Sequence, residues 1–192
     1  MIDFVGEILE ISEGGALVLF TSYQMLADTY DGLASGLAKL GITALRQGTD
    51  DRARLMKSFT ADSGSVLFAT DSFWEGVDTP GESLRVVIIC RLPFQVPNDP
   101  VVEARYERIL ARNGNPFIEL SLPVAVTRLK QGFGRLMRRT TDRGAVVILD
   151  PRMLKKQYGN VFVESLPDAS RSFKERKGIL RDIEANLYTG HI

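Results

Sequence analysis

Within nine positions, Gln131-Gly132-Phe133-Gly134-Arg135-Leu136-Met137-Arg138-Arg139 combines an amide, three guanidinium groups and two glycines. On a helix, Gln131, Arg135 and Arg138 project within roughly 60° of one another. Such a face offers an amide and two planar, permanently charged forks. Forks of this kind pair bidentately with phosphate oxygens and stabilise charge spread over a transferring phosphoryl group. Two glycines in a helix cost about 1 kcal/mol each relative to alanine, which fits close approach of another surface. The alternative is a solvated arginine face paired with acidic neighbours. A dinucleotide-binding turn is excluded on two counts: its third glycine position holds Met137, and the segment interrupts a helix instead of leaving a strand.

Two further segments carry groups that could hold a phosphate. Phe68-Ala69-Thr70-Asp71-Ser72-Phe73-Trp74-Glu75-Gly76-Val77-Asp78 runs from a strand into a polar loop. The hydroxyls of Thr70 and Ser72 and the loop amides suit a nucleic-acid phosphate, while Glu75 and Asp78 suit a ribose hydroxyl or a facing arginine. Asp71 or Ser72 would otherwise cap a helix, with Phe73 and Trp74 either in the core or stacked on bases. Phe20-Thr21-Ser22-Tyr23-Gln24 joins a strand end to a helix start. Its hydroxyls could cap that helix or bind a phosphate at its dipole-positive end, and three in succession exceed what capping requires. Gln47-Gly48 faces the same edge.

Hydropathy patterning predicts the elements that would position these groups. The continuous apolar run Ala16 to Phe20 reads as a strand covered on both faces, and Thr43 to Arg46, Ser65 to Ala69, Leu84 to Cys90 and the apolar Ala145 to Leu149 are further strands. Helical spacing marks Ile2 to Ile11, Gln24 to Leu40, Asp50-Asp51 to about Thr60, Pro100 to about Arg112 and Leu122 to Arg139. After Asp150-Pro151-Arg152 a short helix, a connector around Val161 to Pro167 and a polar helix from Asp168 to about Asn186 are expected. The alternation implies an α/β fold, with a mostly parallel sheet and helices on both faces. Ligands of such sheets gather at the carboxyl ends of the strands, where Thr21 to Tyr23, Thr70 to Ser72, Arg91 and Asp150 to Arg152 fall. Residues 1–192 are expected to form one domain, with 168–192 a peripheral helix and tail.

Composition narrows the function classes. Lysine plus arginine and aspartate plus glutamate number 24 each, so any nucleic-acid contact must be local and shared with another domain. Cys90 and His191 are single, which argues against a disulfide framework, a cysteine-ligated cluster, a histidine-rich metal site or Ser-His-Asp catalysis within this chain. Apolar stretches fall short of the roughly 20 residues needed to span a membrane, and a secretory leader pattern is lacking, so a cytoplasmic setting is expected.

Taken in order, these segments resemble the second motor domain of superfamily 2 helicases in the group of XPD and DinG-like proteins. Phe20 to Gln24 resembles motif IV, Thr70 to Asp78 motif V, and Gln131 to Arg138 motif VI, whose Q-x-x-G-R-x-x-R pattern is met in full. Arg91-Leu92-Pro93-Phe94 with Pro97 and Asp99-Pro100, and Ile148 to Arg152, resemble the DinG-like pattern too. The resemblance implies a RecA-like P-loop NTPase fold. It implies Arg138 as an arginine finger, Gln131 and Arg135 near the γ-phosphate, and Glu75 and Asp78 coupling nucleotide cleft to DNA groove. Thr21, Ser22, Tyr23, Gln47, Thr70 and Ser72 would face single-stranded DNA. ATP with Mg2+ would sit at an interface with a first RecA-like lobe of the same parent protein, because neither a G-x-x-x-x-G-K-[ST] loop nor a D-E-x-H motif occurs here. An iron–sulfur cluster, where such a parent carries one, belongs to that first lobe and not to this chain. The competing readings are a non-catalytic RecA-like interaction module and a doubly wound small-molecule domain of another family.

Overall fold

The computed structural model describes residues 1–70, 73, 84–95, 100–134 and 144–188. Five parallel strands form its sheet: β1 (Ala16–Leu19), β2 (Ala44–Arg46), β3 (Val66–Ala69), β4 (Val86–Ile89) and β5 (Ala145–Ile148), in the order β2-β3-β1-β4-β5. The apolar runs predict these strands because β1, β3 and β4 are buried along their whole length. Ala16 pairs with both Val66 and Val86, so β1 lies at the centre of the sheet.

Alternate side chains feed two cores. Leu17, Leu19, Leu67, Ala69, Val87 and Ile89 meet α3 (Arg52–Ala61), α5 (Leu122–Phe133), α6 (Arg152–Lys155) and α7 (Gly159–Ser165) on one face through Phe59, Leu129, Met153 and Phe162. On the other face, Ala16, Val18, Val66, Phe68, Val86 and Ile88 meet α1 (Ile2–Ile11), α2 (Tyr23–Lys39) and α8 (Arg176–Tyr188) through Ile8, Leu9, Leu26 and Ile183. The remaining helix, α4 (Pro100–Leu110), buries only Ile109. Among the described residues no helix is long and apolar enough to cross a membrane.

Local chemistry sets the element ends. Asp51 caps α3 by accepting the Arg54 N–H at 3.0 Å. Gly14 turns the chain from α1 towards β1 at φ 76°, and a Cβ there would lie 1.9 Å from the Gly64 carbonyl oxygen. That combination of positive φ and backbone contact leaves no room for a side chain.

One turn lies outside the expected helices, and two later expectations change. Before α5, Phe117–Ser121 forms a π-helical turn, opened by Asn115 Oδ1 accepting the Phe117 N–H at 3.0 Å. Pro123 at the start of α5 has no N–H to give, and the wider turn accommodates that loss. The expected connector at Val161 to Pro167 is instead mostly helical, as α7. Gly159 lets α7 abut α6, for a Cβ there would stand 2.0 Å from the Met153 carbonyl oxygen. The last helix starts at Arg176 and not at Asp168, because the preceding stretch is exposed and offers no apolar face to dock. From Arg176 onward, the Glu7 ion pair at 2.7 Å and the Tyr188 hydroxyl donating to the Ile11 carbonyl at 2.8 Å tie α8 to α1.

Candidate nucleic-acid edge and nucleotide-facing helix

The carboxyl ends of β2, β3 and β1 bring together three residues singled out by type alone. Gln47, one position beyond β2, is held by its N–H to the Phe68 carbonyl at 2.9 Å, which extends the β2–β3 ladder. Its side-chain Oε1 accepts the Thr70 N–H at 2.6 Å and the Thr70 hydroxyl at 3.0 Å. Its Nε2 donates to the Tyr23 hydroxyl at 2.8 Å. One amide thus links the end of β3 to the first residue of α2. Thr70 is buried, whereas Tyr23 is 62% exposed. Ser22 caps α2, its hydroxyl accepting the Met25 N–H at 3.2 Å, and remains exposed. Thr21, half-buried, precedes it. Capping therefore accounts for the Ser22 hydroxyl and the Gln47 amide for the Tyr23 oxygen.

Gln131 stands apart. It lies in the last turn of α5, which leads through residues 134–144 to the amino-terminal end of β5, and no described hydrogen bond joins it to the Tyr23–Gln47–Thr70 string. Its Oε1 is buried and has no partner among the described residues. A buried acceptor left unpaired costs about 1–3 kcal/mol, so it is the kind of group that a donor from elsewhere satisfies. The helix ends at Phe133 with Gly134 as its C-cap, short of the expected Arg139. The glycine expected to sit within the helix at 134 is its C-cap, and the shared projection with Arg135 and Arg138 falls on residues outside those described. Arg135, Arg138, Ser72, Glu75 and Asp78 lie outside the described residues, as does Trp74. Phe73 is buried in the core, as packing rather than base stacking requires.

A third arrangement lies at the ends of β4 and β5, where Asp150 to Arg152 are expected from strand position and from the DinG-like pattern. The Asp150 carboxylate, 3% exposed, accepts the Leu92 N–H and the Arg152 N–H at 2.9 Å each. It also accepts Arg152 Nε at 2.9–3.0 Å and Nη2 at 2.5 Å. Burial would raise the carboxyl pKa, but these bonds outweigh it and hold the group below its ordinary value. The Arg152 guanidinium also sits 5.2 Å from the ring centre of Phe94, which packs against Phe117, Tyr158 and Phe162. Asp150 thereby stitches the segment after β4 to that after β5. An aspartate two residues before an arginine at a strand end signals a local turn, whereas the bond to Leu92 depends on strand order. Cys90, between these ends, is buried, and its thiol is pushed up to about 12 by desolvation.

The model of the helicase C-terminal domain family matches residues 5–169. The chain belongs to the helicase C-terminal domain family. This helicase C-terminal domain is 44% identical over 173 residues to the ATP-dependent DNA helicase YoaA of Haemophilus influenzae, covering 88% of this chain and 26% of that protein. It is 40% identical over 163 residues to the ATP-dependent helicase DinG of Mycobacterium tuberculosis, covering 85% of this chain and 24% of that protein. Against the 3'-5' exonuclease DinG of Bacillus subtilis the identity is 42% over 158 residues, with 81% and 17% covered. The chain thus spans about a quarter or less of the length of these relatives. An apo structure of XPD superposes with a TM-score of 0.62 at 19% identity, over 89% of this chain and 35% of that one, which establishes the RecA-like fold.

Proposed function

We propose that this helicase C-terminal domain is the second motor lobe of an ATP-dependent DNA helicase of the DinG type. Its two functional surfaces are separate. Gln131, Arg135 and Arg138 face ATP and Mg2+ held against a first lobe of the same protein, with Arg138 as the arginine finger. Thr21, Ser22, Tyr23, Gln47, Thr70 and Ser72 line a groove for single-stranded DNA, and Glu75 and Asp78 couple the two. The family match over residues 5–169 carries this reading, and the unmet, buried Gln131 Oε1 supports it as an acceptor free for a water or an N–H group from outside the described lobe.

Bound ATP would supply the transferable phosphoryl group. The arginine forks of this chain would stabilise charge spreading over that group, and the Gln131 amide would orient against it. Lobe closure would then be the step that links hydrolysis to movement of the strand. Residues 1–192 would act as one unit, with 168–192 peripheral, in a cytoplasmic protein. The test is DNA-stimulated ATP hydrolysis by the protein with both lobes. Arg138→Ala is expected to lower turnover by about 10³-fold or more while leaving folding intact, as for other arginine fingers. Unchanged hydrolysis in a folded variant sinks the finger assignment. Residues 1–192 alone are expected to hydrolyse ATP negligibly.

A further inference from the structure

The hydrogen bonds at the carboxyl edge have a direction that atom types alone determine. A backbone N–H can only donate, so the Gln47 atom 2.6 Å from the Thr70 nitrogen is the amide oxygen. The Thr70 hydroxyl, 3.0 Å from the same oxygen, then gives it its single hydrogen. The other end of the amide is therefore nitrogen, and it donates to the Tyr23 oxygen at 2.8 Å. Tyr23 accepts along the string, and its own hydrogen is left to donate elsewhere. Its side chain is the exposed end of the string, and Thr70 the buried one.

A phosphodiester oxygen accepts and never donates. Of the two hydroxyls in the string, Thr70 points its hydrogen inward to Gln47 and Tyr23 keeps its hydrogen for the outside. We propose that Tyr23 is the phosphate-contacting donor of this edge, that Gln47 is its positioning residue, and that Thr70 supports the contact without making it. The ligand class is a backbone phosphate of a single strand. This rests on the single-strand groove proposed above and replaces the direct role for Thr70 with an indirect one. It also joins the start of α2 to the residue at which β3 ends, so a shift of that end would reach the strand through one amide.

The test uses the full-length protein and a fluorescent oligothymidylate, with Kd read by anisotropy. Tyr23→Phe keeps the ring and removes the hydroxyl, and is expected to weaken binding about tenfold, the size of one hydrogen bond to a charged group. On a strand carrying methylphosphonates the same substitution is expected to change Kd less than twofold. Gln47→Glu is isosteric, keeps the acceptor for Thr70 and makes both ends acceptors, which draws the Tyr23 hydrogen inward. At salt high enough to screen its added charge, Gln47→Glu is expected to weaken binding several-fold in the Tyr23 protein and less than twofold alongside Tyr23→Phe. Wild-type binding that Tyr23→Phe leaves unchanged overturns the relay while keeping the DNA-lobe reading. Equal losses on both strand chemistries, or multiplying effects of the two substitutions, overturn it too. A wild-type protein that does not bind the strand overturns both readings.

Discussion

Replacing Asp150 by alanine tests whether one carboxylate fastens the carboxyl ends of β4 and β5. The substitution strands the Leu92 N–H, on a residue only 1% exposed, and an orphaned buried donor costs about 1–3 kcal/mol. It also removes the partner of Arg152, but that side chain is 36% exposed and can turn to water, so this part is held to about 1 kcal/mol. Together the loss is about 2–4 kcal/mol, which lowers the Tm of a lobe of this size by roughly 5–15 °C. Arg152→Ala leaves the carboxylate with its two backbone donors and is expected to cost about 1 kcal/mol. Urea melts of both variants supply the comparison. The pH dependence follows from the lowered pKa of Asp150 in the folded state. Its stabilisation is fully present above the unfolded value near 3.9 and is lost as pH falls through the lower folded value. The gap between wild type and Asp150→Ala should therefore hold at neutral pH and narrow only below about pH 4. An Asp150→Ala protein within about 0.5 kcal/mol of wild type, or an Arg152→Ala protein equally damaged, refutes the reasoning.

Two further outcomes follow from other parts of the lobe. Gly14→Ala must move the Gly64 carbonyl and hold alanine at φ 76°, so it is expected to lose more than about 2 kcal/mol by chemical denaturation; a neutral result contradicts the close contact. Cys90, buried with its thiol pushed up to about 12, should resist an aromatic disulfide reagent at pH 8 until denaturant is added, and rapid colour in the native protein would show that the thiol is accessible.

The strands were legible because a parallel strand buried on both faces must be apolar at every position, as Ala16–Leu19 and Val86–Ile89 are. Ser22 and Asp51 were legible as cap-forming types at the starts of periodic segments. What stayed hidden depends on contacts between distant elements. The types of Gln47, Tyr23 and Thr70 mark a polar edge, but which of them touch depends on β2, β3 and β1 being neighbours in that order. The same holds for Asp150 and Leu92, from different strand ends. The helix over Gly159–Ser165 was missed because Val161-Phe162-Val163 is too short a run to show a period. Gly134 was expected inside a helix whose spacing continues past it, although glycine is also the commonest residue where a helix stops.

The sheet order also has a consequence for how the lobe forms. Ala16 pairs with Val66 and Val86, and Val86 with Ala145, and among the described strands even the shortest pairing, Ala44 with Val66, spans 22 residues and a helix. Every pairing must wait for a long loop to close, which places such a lobe among slow folders, in the millisecond-to-second range. Until then the runs through Leu17, Leu67 and Val87 are exposed together, each able to pair with another chain. The features that make β1 the quiet centre of the finished sheet make it the segment most in need of dilution or a chaperone during synthesis.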